Sequence, residues 1–289
     1  MTEASIPVWE PVLCSATLRS AGLPETARAA AAAGFSSISV YVSEYDQARA
    51  EGWRDEDLRG LLADLGLRVA EIDGPMAWLP EHTAVTAYRL HTPERFAEVA
   101  AALGARSLTV IDVAGIAVSD APAAAARAFS RVCDIARDAG ALAHIEPFGW
   151  SGIRDLGEAY EVVERAGHDN GGILLDTWHA QRGPDRHGLP THVPTEAVFG
   201  IQVSGAAQIP ARDLRREAVT ARELPSSSDS RLVSLLADLS ERGCTAPWGI
   251  EVFSTVLDGQ EPTTTAHAAA RALGELRAAI DGASPPRNR

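Results

Sequence analysis

Short apolar runs alternate with amphipathic stretches along the whole chain. Eight runs have the length and the β-branched content of buried strands. They are residues 11–16, 36–42, 67–73, 106–112, 141–147, 172–177, 199–204 and 248–253. Because a helical pattern follows most of these runs, the order of elements predicts a parallel sheet with crossover helices.

The stretches between the strands place apolar residues at i, i+3, i+4 and i+7, the spacing of one helix face. Leu58, Leu61, Leu62 and Leu65 show this repeat, as do Phe96, Val99, Ala100 and Leu103. Thr92 before Pro93 has the pattern of an N-cap followed by proline at the first helical position. Glycines follow the helical patterns and precede the next strand at positions 34, 66, 104, 140, 167 and 243,.

Eight strand–helix units in 289 residues predict a single (β/α)8 TIM barrel,. An open doubly wound sheet is the alternative, but no G-x-G-x-x-G follows the first strand,. We expect the barrel to span residues 1–282 and residues 283–289 to be a disordered tail. Two long connections, 178–198 and 205–229, follow the sixth and seventh strands and are expected to shape the active-site face.

The composition and charge of the chain disfavour several classes of function. The formal net charge is −13 and the isoelectric point is about 5.1, so a nucleic-acid partner is disfavoured,. No segment has the features of a signal peptide or of a transmembrane helix. The three cysteines show no zinc-type spacing,. We therefore expect a reduced, cytoplasmic protein with a small-molecule substrate and no membrane partner, and a homo-oligomer is compatible with these features.

Four successive predicted strands each end in an oxygen ligand: Glu146, Asp176, Gln202 and Glu251. A single acid at a strand end is more often a helix N-cap or an ion-pair partner. Three carboxylates and an amide converging on one rim would repel one another unless a cation lay among them. The all-oxygen set predicts one divalent ion, Mn²⁺ or Mg²⁺ with Co²⁺ as a further candidate.

Other residues near the predicted rim are candidates for substrate binding. His144 lies two residues before Glu146, so both side chains face the barrel interior. We favour a satisfied interior role for His144, with a role as proton carrier as the alternative. Trp178 follows the sixth strand and either walls the pocket or only packs, and the same holds for Trp78 and Trp150.

These residues resemble the sugar phosphate isomerase/epimerase superfamily, the xylose-isomerase-like TIM barrels. The resemblance spans nearly the whole chain. It is carried by TLRSAGLPETARAAAAAGFSSISVY and LLADLGLRVAEID, and at the rim by HIEPFG, LLDTWH, IQVS and GIEVFS.

The resemblance implies that Glu146, Asp176, Gln202 and Glu251 bind the metal, and that Glu146 and Glu251 also transfer protons. It further implies that His179, in the D-x-x-H tract, contacts a substrate oxygen. Many members carry histidine at the third ligand position, and dehydroshikimate-dehydratase-like members carry glutamine there.

The chain departs from the family pattern at two places. Many members have an acid three residues after the third ligand, where this chain has Gly205. The family also often has an arginine followed by a P-G-x-G turn, where this chain has Arg222 and then Ser226–Ser228. Arg222 is a candidate for gripping a substrate hydroxyl, carboxylate or phosphate, and a solvated loop arginine is the alternative.

The ligand set supports two reactions. Proton abstraction and a metal-stabilised enediolate give a sugar isomerase or epimerase. Loss of a β-hydroxyl gives instead a dehydratase, a lyase of a cyclic polyol ketone or dehydroshikimate-like acid. A DNA repair endonuclease would require more histidines and a positive face, which the sequence lacks. A barrel that has lost catalysis is the remaining alternative, for which Gly205 and the altered 225–228 tract are the evidence.

Overall fold

The computed structural model describes residues 10–80, 82, 90–115 and 121–283. Eight parallel strands pair in chain order, and β8 pairs with β1, so the sheet closes into a barrel. The strands are β1 Pro11–Leu13, β2 Ser37–Tyr41, β3 Arg68–Asp73, β4 Ser107–Ile111, β5 Leu142–Glu146, β6 Gly171–Asp176, β7 Val198–Val203 and β8 Trp248–Ile250. The predicted (β/α)8 barrel is confirmed.

Helices cover the outside of the barrel. They are α1 Leu23–Ala33, α2 Val42–Ala50, α3 Asp55–Asp64, α4 Pro93–Leu103, α5 Pro122–Asp138, α6 Leu156–Ala166, α7 Thr177–Arg182, α8 Leu214–Thr220, α9 Ser230–Glu241 and α10 Pro262–Ala283. The predicted tail lies, apart from Ala283 at the end of α10, outside the described residues. Within the described part of the chain, no helix has the length and apolar content that a bilayer crossing requires.

The start of α4 and the ends of most helices match the sequence patterns. The hydroxyl of Thr92 accepts a hydrogen bond from the backbone N–H of Arg95, as an N-cap does,. Gly34, Gly104 and Gly167 end α1, α4 and α6 in the left-handed conformation, which costs a glycine no steric strain,.

The first and last strands, β1 and β8, are only half as long as their predicted apolar runs. The run 11–16 leaves the sheet after Leu13, and residues Ser15–Leu18 form a 3-10 turn. The hydroxyl of Thr17 donates to the carbonyl of Ile250 and accepts from the backbone N–H of Val252. These bonds hold the chain just beyond β8 to that turn, so the first and last strands end together at the rim.

The two long connections contain short helices that the sequence pattern did not predict. The connection after β6 begins with α7, and the connection after β7 contains α8. A third unpredicted helix, α2, follows β2 directly and buries only Val42, Tyr45 and Ala48. Each of these helices has too few apolar positions to show the helical repeat clearly.

Polar side chains fill the middle of the barrel interior. Gln202 donates to Glu71, and the His144 ring lies 3.0 Å from the hydroxyl of Thr109 and 3.4 Å from Glu71. Glu71 also accepts from the thiol of Cys14. This buried layer lies below the strand ends and supports the side chains above it.

A glycine in β6 tests how closely this strand packs against the residues around it. A methyl group at Gly172 in β6 would lie 2.5 Å from the Phe199 ring and 2.7 Å from the carbonyl oxygen of Ala197. We expect Gly172→Ala to destabilise the protein by about 1–3 kcal/mol, measured from urea unfolding midpoints.

Gly60→Ala is the matched control, because Gly60 lies exposed within α3 and an added methyl group meets nothing within 4 Å. It should stabilise the protein by about 0.5–1 kcal/mol. Equal shifts of the unfolding midpoint in the two variants would contradict the close approach of Gly172 to Ala197 and Phe199.

Candidate active site

Four side chains converge at the carboxyl end of the barrel because their strands end there. Glu146 and Asp176 are the last residues of β5 and β6, Gln202 pairs in register with Asp176, and Glu251 follows β8 directly. All four are buried. The sequence prediction that they lie at one rim agrees with the fold, and the structure adds how each is held.

Arg222 lies between two of the carboxylates. Its Nη1 donates to Oδ2 of Asp176 at 2.7 Å and to Oε2 of Glu251 at 3.1 Å. Its Nε donates to the carbonyl of Ala218 in α8, and its backbone N–H donates to the carbonyl of Phe253. Arg222 is therefore a fixed, buried part of the site and not a solvated loop residue.

Asp176 has two separate partners. Its Oδ1 caps α7 by accepting from the backbone N–H groups of Trp178 and His179, and its Oδ2 faces Arg222. Burial favours the protonated acid, but the charge of Arg222 and the hydrogen bonds from Arg222 and from the backbone N–H of His179 outweigh it and hold the pKa of Asp176 below its usual value,. Asp176 is thus both the helix cap that a lone acid suggests and an ionised member of the site.

His179 lies one helical turn beyond Asp176 and faces the same point. Its Nε2 is 3.7 Å from Oε1 of Glu146, 3.9 Å from Asp176 and 3.3 Å from Nη2 of Arg222. Burial lowers the pKa of His179 to about 4, so the ring is neutral at neutral pH,. Glu146, Asp176 and His179 each offer one ligand atom. These three atoms lie within 4.8 Å of one another, a spacing that could hold a metal ion.

Gln202 and Gly205 show how the departure from the family pattern is accommodated. The Nε2 of Gln202 donates to Glu71, whereas its Oε1 is buried and has no hydrogen-bond partner among the described residues. Gly205 forms a backbone bridge with Glu223, and a side chain there would lie 2.7 Å from the carbonyl oxygen of Leu224. The bridge therefore excludes an acid at position 205 and holds the segment that carries Arg222.

Two predicted substrate contacts lie away from the cavity at this end of the barrel. Trp178 is fully buried and packs under the guanidinium of Arg222, whose central carbon lies 5.4 Å from the ring centroid. His144 lies in the polar layer below, beside Thr109 and Glu71. Neither side chain lines the cavity, so their contacts are with other protein groups, whereas Trp150 does line it.

Sequence reasoning missed Asp73, the last residue of β3. Asp73 lines the cavity, and burial with the nearby charge of Glu71 raises its pKa to about 7. Glu71 precedes it by two residues, so both acids face the barrel interior. Two acids spaced by two in a strand that is otherwise apolar after Arg68 were a signal for both residues.

The cavity has a volume of about 450 Å³ and lies above these side chains. Its polar side chains include Asp73, Glu146, His179, Arg222 and Glu251. A cavity of this size, with few polar groups converging at its floor, is typical of a small-molecule site.

Comparison with known proteins identifies the family. The sequence profile described as "Xylose isomerase-like TIM barrel" matches residues 27–276. The chain belongs to this family. The resemblance inferred from the rim residues is therefore confirmed at the level of the family.

One relative whose name states an activity matches most of this chain. A 3-dehydroshikimate dehydratase of Pseudomonas aeruginosa is 27% identical over 235 residues, which are 80% of this chain and 36% of that protein. The chain thus spans little more than a third of the length of this curated relative.

Two solved structures share the fold over almost their whole length. The IOLI protein, solved with a zinc atom, has a TM-score of 0.77 at 14% identity, covering 92% of this chain and 97% of that one. An L-ribulose 3-epimerase has a TM-score of 0.69 at 17% identity, covering 98% of this chain and 100% of that one. At these identities the likeness shows the fold alone.

The donors in this xylose isomerase-like barrel fit a divalent cation. The buried carboxylates Glu146, Asp176 and Glu251 lie close together, and burial raises the pKa of Glu146 and of Glu251 well above the usual value. The unpartnered Oε1 of Gln202 adds a neutral oxygen donor. A cation among these groups would reduce the charge repulsion and satisfy the amide oxygen.

A buried ion pair joins the two long connections beside the site. Nε and Nη2 of Arg182 in α7 both donate to Oε1 of Glu217 in α8, at 3.0 and 2.6 Å. Arg182 also donates to the carbonyl of Ala207, and Glu217 accepts from the backbone N–H of Ala211. The pair therefore fixes α8, from which the chain continues to Arg222.

We expect Glu217→Gln to destabilise the protein by about 3–5 kcal/mol, because it leaves the buried guanidinium of Arg182 without its counter-charge. The measurement is the urea unfolding midpoint. Glu161→Gln is the matched control, since it removes the half-exposed pair with Arg165 on α6 and should cost about 0.3–0.5 kcal/mol. A loss at Glu217 no larger than at Glu161 would show that the pair does not hold the connections.

Proposed function

We propose that the protein is a divalent-metal-dependent isomerase or epimerase of a polyhydroxylated ketone or sugar. One observation carries this proposal: two buried glutamates with raised pKa values, Glu146 and Glu251, line the same cavity. Such a reaction requires one group that removes a proton from carbon and a second group that returns one.

The environment suits both glutamates for proton transfer. Burial raises the pKa of Glu146, and the nearby charges of Asp176 and Asp73 raise it further. Burial likewise raises the pKa of Glu251, which Arg222 partly offsets. A carboxyl group with a raised pKa is a stronger base when ionised and holds a proton more readily near neutral pH.

Glu146, Asp176, Gln202 and Glu251 are the proposed metal ligands. His179 is an alternative ligand, because its Nε2 lies with oxygens of Glu146 and Asp176 in one compact group. A bound Mn²⁺ or Mg²⁺ ion would polarise the substrate carbonyl and stabilise negative charge that develops on its oxygen.

The side chains divide the remaining work. The carboxylate of one glutamate removes the proton from the carbon beside the carbonyl, and the carboxyl group of the other returns a proton. Return to the opposite face of the same carbon gives the epimer. Return to the former carbonyl carbon gives the aldose or ketose isomer, provided that the hydroxyl proton on the neighbouring carbon moves to the former carbonyl oxygen. Arg222 and the neutral ring of His179 would orient substrate oxygens through hydrogen bonds.

A dehydratase is the second candidate. Gln202 at the third ligand position and the Pseudomonas aeruginosa relative favour it. In this reaction the same base removes the proton, and a β-hydroxyl group leaves as water after it accepts a proton from the second carboxyl group. The two reactions differ in the fate of that hydroxyl group.

We expect incubation with unphosphorylated ketoses and hydroxyketones in deuterated water to place deuterium on the carbon beside the carbonyl without loss of water. Proton and deuterium NMR measure this incorporation directly. Formation of a conjugated, ultraviolet-absorbing product, above all from 3-dehydroshikimate, would instead support the dehydratase and contradict the isomerase.

We expect Glu146→Gln to lower the exchange rate by about 10²- to 10⁴-fold, because the amide cannot accept the proton. Metal analysis of the purified protein should find a divalent ion, and chelation should lower both the activity and the melting temperature. Glu161→Gln, the same change on the surface of α6, should leave the rate and the metal content unaltered. Absence of bound metal together with full activity of Glu146→Gln would contradict the catalytic proposal.

A further inference from the structure

An apolar patch forms part of the cavity wall. The reaction is proposed at Glu146, His179, Arg222 and Glu251, which follow β5–β8. The opposite side of the cavity is formed after β2, β3 and β4, and it carries the polar residues Ser43, Asp73 and His91 beside an apolar patch of Val42, Pro75, Ile111 and Val113. Phe148 and Trp150 continue this patch from the connection after β5.

Among the residues that the structure describes, the cavity offers little for binding an anion. The sequence contains no lysine, and among the described residues Arg222 is the only arginine that lines the cavity. The Nη1 of Arg222 already bonds Asp176 and Glu251. With Asp73 and Glu146 also facing the cavity, negative charge exceeds positive charge there, and a dication bound among the carboxylates would be largely neutralised by them.

Carboxylates lie at both helix N-termini beside the cavity. Val42 and Ser43, in the first turn of α2, line the cavity, and the carboxylate of Glu44 accepts from the backbone N–H of Tyr41 at that end of the helix. The N-terminus of α7 is capped by Asp176, which accepts from the backbone N–H groups of Trp178 and His179. A phosphate at either helix end would therefore lie beside a carboxylate.

The apolar patch offers no side-chain hydrogen bond to a hydroxyl group of the substrate. A hydroxyl held against Val42, Pro75, Ile111 and Val113 would lose water without gaining a hydrogen bond from those side chains. An apolar group in the same place gains free energy from burial. Aromatic side chains at Phe148 and Trp150 add flat surfaces against which a ring can pack.

We propose that the substrate is an uncharged hydroxyketone, or its aldehyde isomer, whose reacting end is followed by an apolar ring or chain, and that it bears no phosphate or carboxylate. The assignment of the reacting end rests on the proposed function. The apolar part lies against the apolar patch formed after β2–β4, in place of the hydroxylated chain that a simple sugar would carry there. This substrate class separates the protein from catalysts of sugar phosphates and of acids such as dehydroshikimate.

A matched series of probes tests this proposal, because all share the group HO–CH2–CO– and differ in one substituent. The substituent is phenyl in 2-hydroxyacetophenone, hydroxymethyl in dihydroxyacetone, phosphorylated hydroxymethyl in dihydroxyacetone phosphate, and carboxylate in hydroxypyruvate. Calorimetry on the full chain supplied with Mn²⁺ gives the dissociation constants, and NMR in deuterated water gives exchange at the hydroxymethyl carbon.

We expect 2-hydroxyacetophenone to bind at least about tenfold more tightly than dihydroxyacetone. Both anionic probes should bind more weakly than dihydroxyacetone. Tighter binding of either anion, or binding of no probe in the series, would overturn the proposed substrate class.

Variants locate the preference in the cavity. Val113→Thr replaces a half-buried lining methyl by a hydroxyl of the same size and should reduce the affinity ratio between the phenyl and hydroxymethyl probes by about threefold or more. Val256→Thr makes the same change at an exposed position outside the cavity and should leave the ratio unaltered. Equal affinity ratios in the two variants would overturn the assignment of the apolar part of the substrate to the apolar patch.

The two readouts separate this inference from the reaction on which it rests. Preferential binding of the phenyl probe without any deuterium exchange would contradict the proposed isomerase and leave the substrate class supported. Exchange of all neutral probes with no preference for the phenyl group would support the reaction and overturn the substrate class.

Discussion

An excess of buried negative charge at the carboxyl end of the barrel constrains the rest of the site. Glu71, Asp73, Glu146, Asp176 and Glu251 are all buried there. Burying so many carboxylates is costly unless charge partners or protons compensate them. Arg222 compensates two of them directly, His144 lies against Glu71, and Glu146 and Asp73 respond with raised pKa values. The same imbalance makes the site receptive to a cation and poorly suited to an anionic substrate.

Much of the surrounding structure serves to place Arg222. The Gly205–Glu223 bridge, the buried Arg182–Glu217 pair and the ring of Trp178 hold the connections from which it reaches the carboxylates. A flexible loop arginine would lose conformational entropy whenever it bound the site, whereas this arginine is held in place before substrate arrives. Trp178, for which the sequence left both a pocket wall and a packing role open, packs beneath the guanidinium.

The parts of the fold that local pattern controls were predictable. Gly34, Gly104 and Gly167 end helices because a left-handed residue is needed there, and Thr92 caps α4 through its own side chain. The short helices α7 and α8 were not predicted, because they are stabilised by Asp176, by Asp213 and by the Arg182–Glu217 pair more than by an apolar face. Asp73 was not predicted, although its spacing of two residues from Glu71 in β3 indicates that both side chains face the barrel interior,.

By itself the sequence determined the closed (β/α)8 barrel, the family, and the strand ends at which Glu146, Asp176, Gln202 and Glu251 lie, because strand periodicity and helix stops are local properties of the chain. Only the tertiary structure decided what these side chains meet. Contacts between distant segments decide three features of the site. Arg222 bridges Asp176 and Glu251 across 46 and 29 residues, His144 lies below the cavity, and an apolar patch forms part of the cavity wall. Such contacts follow from how the connections pack, which no local pattern records.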